Sequence, residues 1–147
     1  MIVVDTNIIS ELMKHSPSPA VAAWIDQQNI TQLFITTVTI AEIAYGLHAL
    51  PEGNRRQLLE CAFNQAVLEA FSHRILPFDE EAAHCYGKIM GQRKKLGRPL
   101  GALDGQIASI AYMQRSTIAT RNTRDFSDCG LQLVNPFEIG DLSLRSD

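Results

Sequence analysis

No stretch of this 147-residue chain approaches the roughly 20 consecutive apolar residues of a membrane-spanning helix, so nothing in it reads as a transmembrane segment. A secretory leader is not expected either. No basic region precedes Ile2-Val3-Val4, and Asp5 interrupts that run too early for a signal-peptide core. A cytoplasmic location is therefore expected. Cysteine is scarce: Cys61, Cys85 and Cys129 are an odd number, widely spaced, with no Cys-x-x-Cys. That argues against a disulfide framework and for free thiols in a reducing compartment. His84-Cys85 makes no zinc site, since neighbours on a helix point in different directions and no second pair exists. Internal repeats, low-complexity tracts and linkers are absent as well. What is present is 46% hydrophobic and 20% charged residues, the balance of one globular domain with a sizeable core.

The net charge of −3 argues against a nucleic-acid binder. The charges are unevenly spread, however. Arg93, Lys94, Lys95 and Arg98 precede Asp104, while Arg121 and Arg124 precede Asp125. Local charge steers a polyanion more than the total does, but Lys and Arg are also favoured in the last turn of any helix. Both readings stand at this point.

The apolar periodicity alternates strand and helix. Strands are expected at Ile2–Val4, Leu33–Thr36, Ile75–Leu76, Thr117–Thr120 and Leu131–Val134. Helices are expected at Ile8–Met13, Val21–Gln27, Ile40–Leu50, Arg55–Phe71, Glu80–Leu96 and Asp104–Gln114. Pro17, Pro19, Pro51, Gly53, Gly97 and Pro99 punctuate them. Such alternation predicts an α/β domain, a parallel five-stranded sheet with helices on both faces. The domain is expected over 1–137 and a C-terminal tail over 138–147, loose after about Gly140. Trp24–Phe34 and the helix Ile40–Leu50 read either as core packing or as a partner surface, with core packing favoured.

Four acids stand where an apolar run gives way to a polar turn: Asp5, Glu42, Asp104 and Asp125. Each has an ordinary explanation. Asp5 and Asp104 fit helix caps, Glu42 follows Thr39 at capping-box spacing, and Asp125 fits a turn begun by Asn122. A cap needs only one acceptor, though, and Ser or Thr would serve. In a parallel sheet the C-terminal strand ends share one edge, the usual ligand crevice. Clustered carboxylates there repel one another, and a hard divalent cation relieves the repulsion. That combination points to metal-assisted displacement at phosphorus. Thr6, Asn7, Thr120 and Asn122 are candidate donors to orient the carboxylates.

The motifs Ile2-Val3-Val4-Asp5-Thr6-Asn7, Thr39-Ile40-Ala41-Glu42, Leu103-Asp104-Gly105-Gln106-Ile107-Ala108 and Ala119-Thr120-Arg121-Asn122-Thr123-Arg124-Asp125-Phe126 together resemble the PIN-domain family. Within it they resemble VapC toxins of the FitB-like branch, with Ser10-Glu11 and Ile75-Leu76-Pro77-Phe78-Asp79 adding to the likeness. The resemblance runs from Met1 to about Phe137. It implies a magnesium- or manganese-dependent endoribonuclease, the toxin of a toxin–antitoxin pair. It further implies Asp5, Glu42, Asp104 and Asp125 as the catalytic acids, Asp5 and Asp104 as direct metal ligands, and Thr120 as the hydroxyl beside the pocket. A homodimer, a small antitoxin partner and a higher assembly on DNA are implied too.

Two other phosphate chemistries fail on specific residues. A phosphohydrolase with an aspartate nucleophile needs a second acid two residues on, where this chain has Asn7. A phosphoacceptor receiver domain needs adjacent acids after the first strand and a late strand-ending Lys, and neither is present. The remaining alternative is a regulatory module that acts with its antitoxin on DNA, with catalysis secondary.

Overall fold

The computed structural model describes residues 1–139. The expected tail after Gly140 lies outside the described residues, and 136–139 begin a helical turn. Five strands, β1 (Ile2–Val4), β2 (Leu33–Thr36), β3 (Ile75–Leu76), β4 (Thr117–Ala119) and β5 (Leu133–Val134), form one sheet in the order β3-β2-β1-β4-β5. Every pairing is parallel. The helices are α1 (Thr6–Leu12), α2 (Pro19–Gln27), α3 (Thr37–Ala49), α4 (Asn54–Ala62), α5 (Glu80–Lys95) and α6 (Ala102–Met113).

Alternation along the strands divides the core in two. Val3 and Ile118 face a layer with Cys85, Ile89, Ile107 and Ile110 from α5 and α6. Their neighbours Val4 and Ala119 face the opposite layer, with Ile8, Ile9, Val21, Trp24 and Phe63. The sheet is thus covered on both faces, as a parallel sheet must be. Trp24 belongs to this core, whereas Ile30 and Tyr45 are exposed.

The strand order has a consequence for function. The chain leaves β1 toward β2 and β3, then returns to the other side of β1 as β4. The crevice beyond the ends of β1 and β4 is therefore a topological switch point, the preferred ligand position in such sheets.

Element ends differ from the periodicity by a residue or two at most elements, and four differences have a clear cause or consequence. The first helix starts at Thr6, because Asp5 caps it. The third starts at Thr37, because the Thr36 hydroxyl accepts from the Thr39 amide at 3.1 Å. The expected helix Arg55–Phe71 changes winding at Phe63, and Phe63–Glu69 is π-helical. Phe63, Val67 and Phe71, spaced by four, all stay buried through that change. Finally, β5 begins at Leu133 because Gly130, at φ 73°, still belongs to the preceding turn.

The α5–α6 contact sets the position of the third acid. A Cβ on Gly105 would lie 2.5 Å from Met90 Sδ and 2.9 Å from the Tyr86 ring, so any side chain here would have to displace those two. Gly105→Val is expected to cost roughly 1–3 kcal/mol by overpacking, measured by chemical denaturation. An unchanged midpoint would mean that α6 has room to shift.

Candidate active site

Asp5 follows β1 and is 3% exposed. Its Oδ1 accepts from the Thr6 amide at 2.8 Å, capping α1. Its Oδ2 accepts from the Thr120 hydroxyl at 2.8 Å and from Asn7 Nδ2 at 3.0 Å. Thr120, just past β4, is fully buried, and its Oγ1 also accepts from the Asn122 amide at 3.0 Å. Asn122 therefore acts through its backbone and reaches Thr120 rather than a carboxylate. Burial pushes the Asp5 carboxyl above the usual carboxylate range, the Thr120 and Thr6 donors pull it back, and the Glu42 charge pushes it up again.

Glu42 lies inside α3, not at a capping box, since the cap is Thr36. Its Oε1 accepts from the Thr6 hydroxyl at 3.0 Å. Thr39, one turn earlier on the same face, places its Oγ1 2.9 Å from that hydroxyl. Thr39 is fully buried and was not among the expected site residues. The Thr-x-x-Glu spacing was visible, but it suggested a cap instead. Burial raises the Glu42 carboxyl, the Thr6 bond lowers it, and the Asp104 charge raises it.

Asp104 sits in the first turn of α6, behind the cap at Gly101. Burial raises its carboxyl, and the charges of Asp5 and Asp125 raise it further. Asp125 is exposed in the turn after β4, with its amide bonded to the Asn122 carbonyl at 3.0 Å. Among the described residues, neither Asp104 nor Asp125 accepts a side-chain hydrogen bond, and none of the four acids is in an ion pair.

The structure thus brings the four acids to one edge, where Asp5, Glu42 and Asp104 each feel the charge of at least one other. Their repulsion has no basic partner at ion-pair distance. No three acidic, His or Cys side chains among the described residues are close enough to enclose an ion unaided. An open set of hard oxygen donors fits a divalent cation that keeps part of its water shell.

The raised carboxyls have a consequence for stability. The folded protein holds these protons more tightly than the unfolded chain, so ionising them opposes folding. Without metal, the contribution of Asp5, Glu42 and Asp104 is fully present below the ordinary values of 3.8 and 4.5 and is lost as pH rises through the folded values. Denaturation midpoints in chelator should show this fall. A group-specific rise with pH, absent from the matching amide variants, would contradict it.

Other residues that the sequence singled out are structural. Glu11 is nearly buried; its Oε1 accepts from the Ser18 amide at 2.9 Å. Lys14, 2.6 Å away, holds the Glu11 carboxyl below the usual range. Arg93 is buried and Arg98 pairs with Asp128 at 2.6 Å, so two of the four clustered bases are committed within the fold. Lys94 and Lys95 remain exposed. All three cysteines are free, Cys61 exposed and the other two buried.

Comparison with known proteins agrees with this geometry. Residues 2–130 match the PIN domain. A VapC ribonuclease, Y4jK, of Sinorhizobium fredii is 44% identical over 94% of this chain and 99% of its own. Toxin FitB of Neisseria gonorrhoeae is 36% identical over 93% of this chain and 99% of its own. The solved structure of FitAB bound to a DNA fragment superposes with a TM-score of 0.88 at 36% identity, covering 93% of this chain and 96% of that one. With its parallel sheet, its acidic switch-point crevice and these relatives, the chain belongs to the PIN-domain family, as a relative of a VapC ribonuclease and of toxin FitB.

Proposed function

We propose that this protein is a metal-dependent endoribonuclease, the toxin of a toxin–antitoxin pair, with magnesium or manganese held by Asp5 and Asp104. The observation that carries this reading is the set of three desolvated, mutually repelling carboxylates at the switch point, with no protein cation at ion-pair distance among the described residues. A bound divalent ion supplies Lewis acidity at a phosphodiester and makes water a nucleophile near neutral pH. The chain's own residues do the rest. Thr120, Asn7 and the Thr6 amide fix both oxygens of Asp5. The Thr6 hydroxyl holds Glu42 Oε1, leaving Oε2 to orient the attacking water and accept its proton. Asp104 faces the same crevice, and Asp125 adds charge from the turn after β4.

The catalytic domain is 1–137, and 138–147 a tail. A cytoplasmic home and a homodimer with a small antitoxin belong to the same reading, and the DNA-bound FitAB structure favours a higher assembly on DNA. That structure also favours a second reading, a DNA-associated regulatory module with secondary catalysis. Among the described residues no helix is long and apolar enough to cross a membrane.

The test is cleavage of single-stranded RNA with end mapping in chelator, magnesium and manganese. Discrete cuts are expected only with metal, and equal cutting in chelator would overturn the metal role. Magnesium should also stabilise the fold, by about 2.7 kcal/mol at a hundred times its dissociation constant. That is several degrees for a domain of this size. An unchanged melting temperature in millimolar magnesium would count against the site.

A further inference from the structure

Beside the acids lies a feature that the catalytic reading does not use. The Arg121 guanidinium sits over the Phe137 ring, 4.5 Å from its centroid. Phe137 is half-buried against the core, while Arg121 is exposed. The backbone of Arg121 is fastened on both sides. Its amide donates to Asn7 Oδ1 at 3.2 Å, and its carbonyl accepts from Asn135 Nδ2 at 3.4 Å. The same Asn7 donates to Asp5, so a single side chain separates Arg121 from the most buried acid. Arg121, Asn122, Thr123, Arg124, Asp125 and Glu138 line a cleft of about 320 Å³ that runs to the fourth acid.

We infer that the Arg121–Phe137 stack is a platform for one base of a single-stranded RNA, next to the phosphodiester at the acids. This rests on the ribonuclease reading and adds to it what holds the substrate. A guanidinium plane is a recognised surface for an unpaired base, and a duplex would keep its bases out of reach. Phe137 beneath already orders the guanidinium, so little side-chain freedom is lost when a second plane settles on it. Charge selects the base over a phosphate at this point. Asp125 and Glu138 share the cleft, and Glu11 also feels the Arg121 charge. Those carboxylates repel a phosphate but leave the face of a neutral base unopposed. Arg124, exposed at the same cleft, is placed for the backbone.

The experiment uses full-length protein carrying Asp5→Asn, so that RNA is bound and not cut, and reads fluorescence anisotropy of a short end-labelled RNA. Arg121→Lys keeps the charge and loses the plane. It should weaken binding about tenfold, the scale of one lost base stack. In a set of RNAs each lacking one base, a single position should weaken binding to Arg121 protein and make no difference to the Lys variant. That comparison is internal to each protein, so a change in stability cannot imitate it. Full affinity with Lys, or no abasic position coupled to Arg121, would overturn the platform and leave the ribonuclease reading standing. RNA affinity unchanged by Arg121→Lys but weaker binding of a poly-glutamate peptide would overturn it in favour of protein docking. No RNA binding even with Arg121 present would overturn both.

Discussion

Asp5→Asn is expected to lower RNA cleavage on the order of 10³-fold, the scale of removing one positioned charged group from an active site. The fold should survive. Asparagine caps a helix as well as aspartate does, so the Thr6 amide keeps its acceptor. The Thr120 hydroxyl and Asn7 Nδ2 then meet an amide where Oδ2 stood, a local mismatch worth about 1 kcal/mol. Against that loss, the variant no longer buries a charge that the fold disfavours and that Glu42 opposes. Metal-free Asp5→Asn should therefore melt near or above the wild type, and magnesium should raise its melting temperature less. Such a trade, activity against stability, is usual where charges are held for function. Comparable cleavage by variant and wild type on mapped RNA ends would remove Asp5 from the site. A collapsed melting temperature would make its role structural.

The placement of the acids was legible because hydrophobic runs mark where strands end and helices begin. Ile2–Val4 and Thr117–Thr120 announced two adjacent strand ends, and a parallel sheet puts such ends on one edge. Thr6, Asn7 and Thr120 were legible as donors because they flank those ends. What they bond was not, since Thr120 reaches Asp5 across 115 positions and Thr6 reaches Glu42 across 36. Only the packed sheet sets those distances. Glu42 illustrates the limit from the other side. Its spacing from Thr39 suggested a cap, yet Thr36 had already taken that place, which freed Thr39 to support the Thr6 hydroxyl from below. The π-helical winding at Phe63 left no mark in the pattern, because residues spaced by four bury equally well in either winding.

Arg93→Met is expected to cost roughly 2–4 kcal/mol, the largest stability loss foreseen for a single side chain here. In sequence Arg93 was one of four bases that could have been a phosphate patch or a helix end. In the fold it is 3% exposed, and its fork spans two loops. Nε donates to the Arg98 carbonyl at 2.6 Å, and a terminal nitrogen donates to the Ser127 carbonyl and to Cys129 Sγ at 3.8 Å. The Arg98 amide returns a bond to the Arg93 carbonyl at 3.0 Å, closing the end of α5 around Gly97 at φ 70°. Arg98 then extends the clamp to Asp128, the Ser127 hydroxyl and the Arg124 carbonyl. The two segments so joined carry the third and fourth acids, since the first leads into Asp104 and the second contains Asp125. Methionine matches the stem but leaves both carbonyls without their donor, and a buried unpaired carbonyl costs about 1–3 kcal/mol. Lysine keeps the charge at one point and cannot bridge both carbonyls, so Arg93→Lys should fall between. Chemical denaturation measures both, and midpoints within about 0.5 kcal/mol of wild type would show the clamp to be dispensable. Because the clamp ends beside Asp125, Arg93→Met assayed well below its melting point should also need more magnesium for half-maximal cleavage. Asp5 and its donors Thr6 and Asn7 follow β1, the other strand end, and should be untouched.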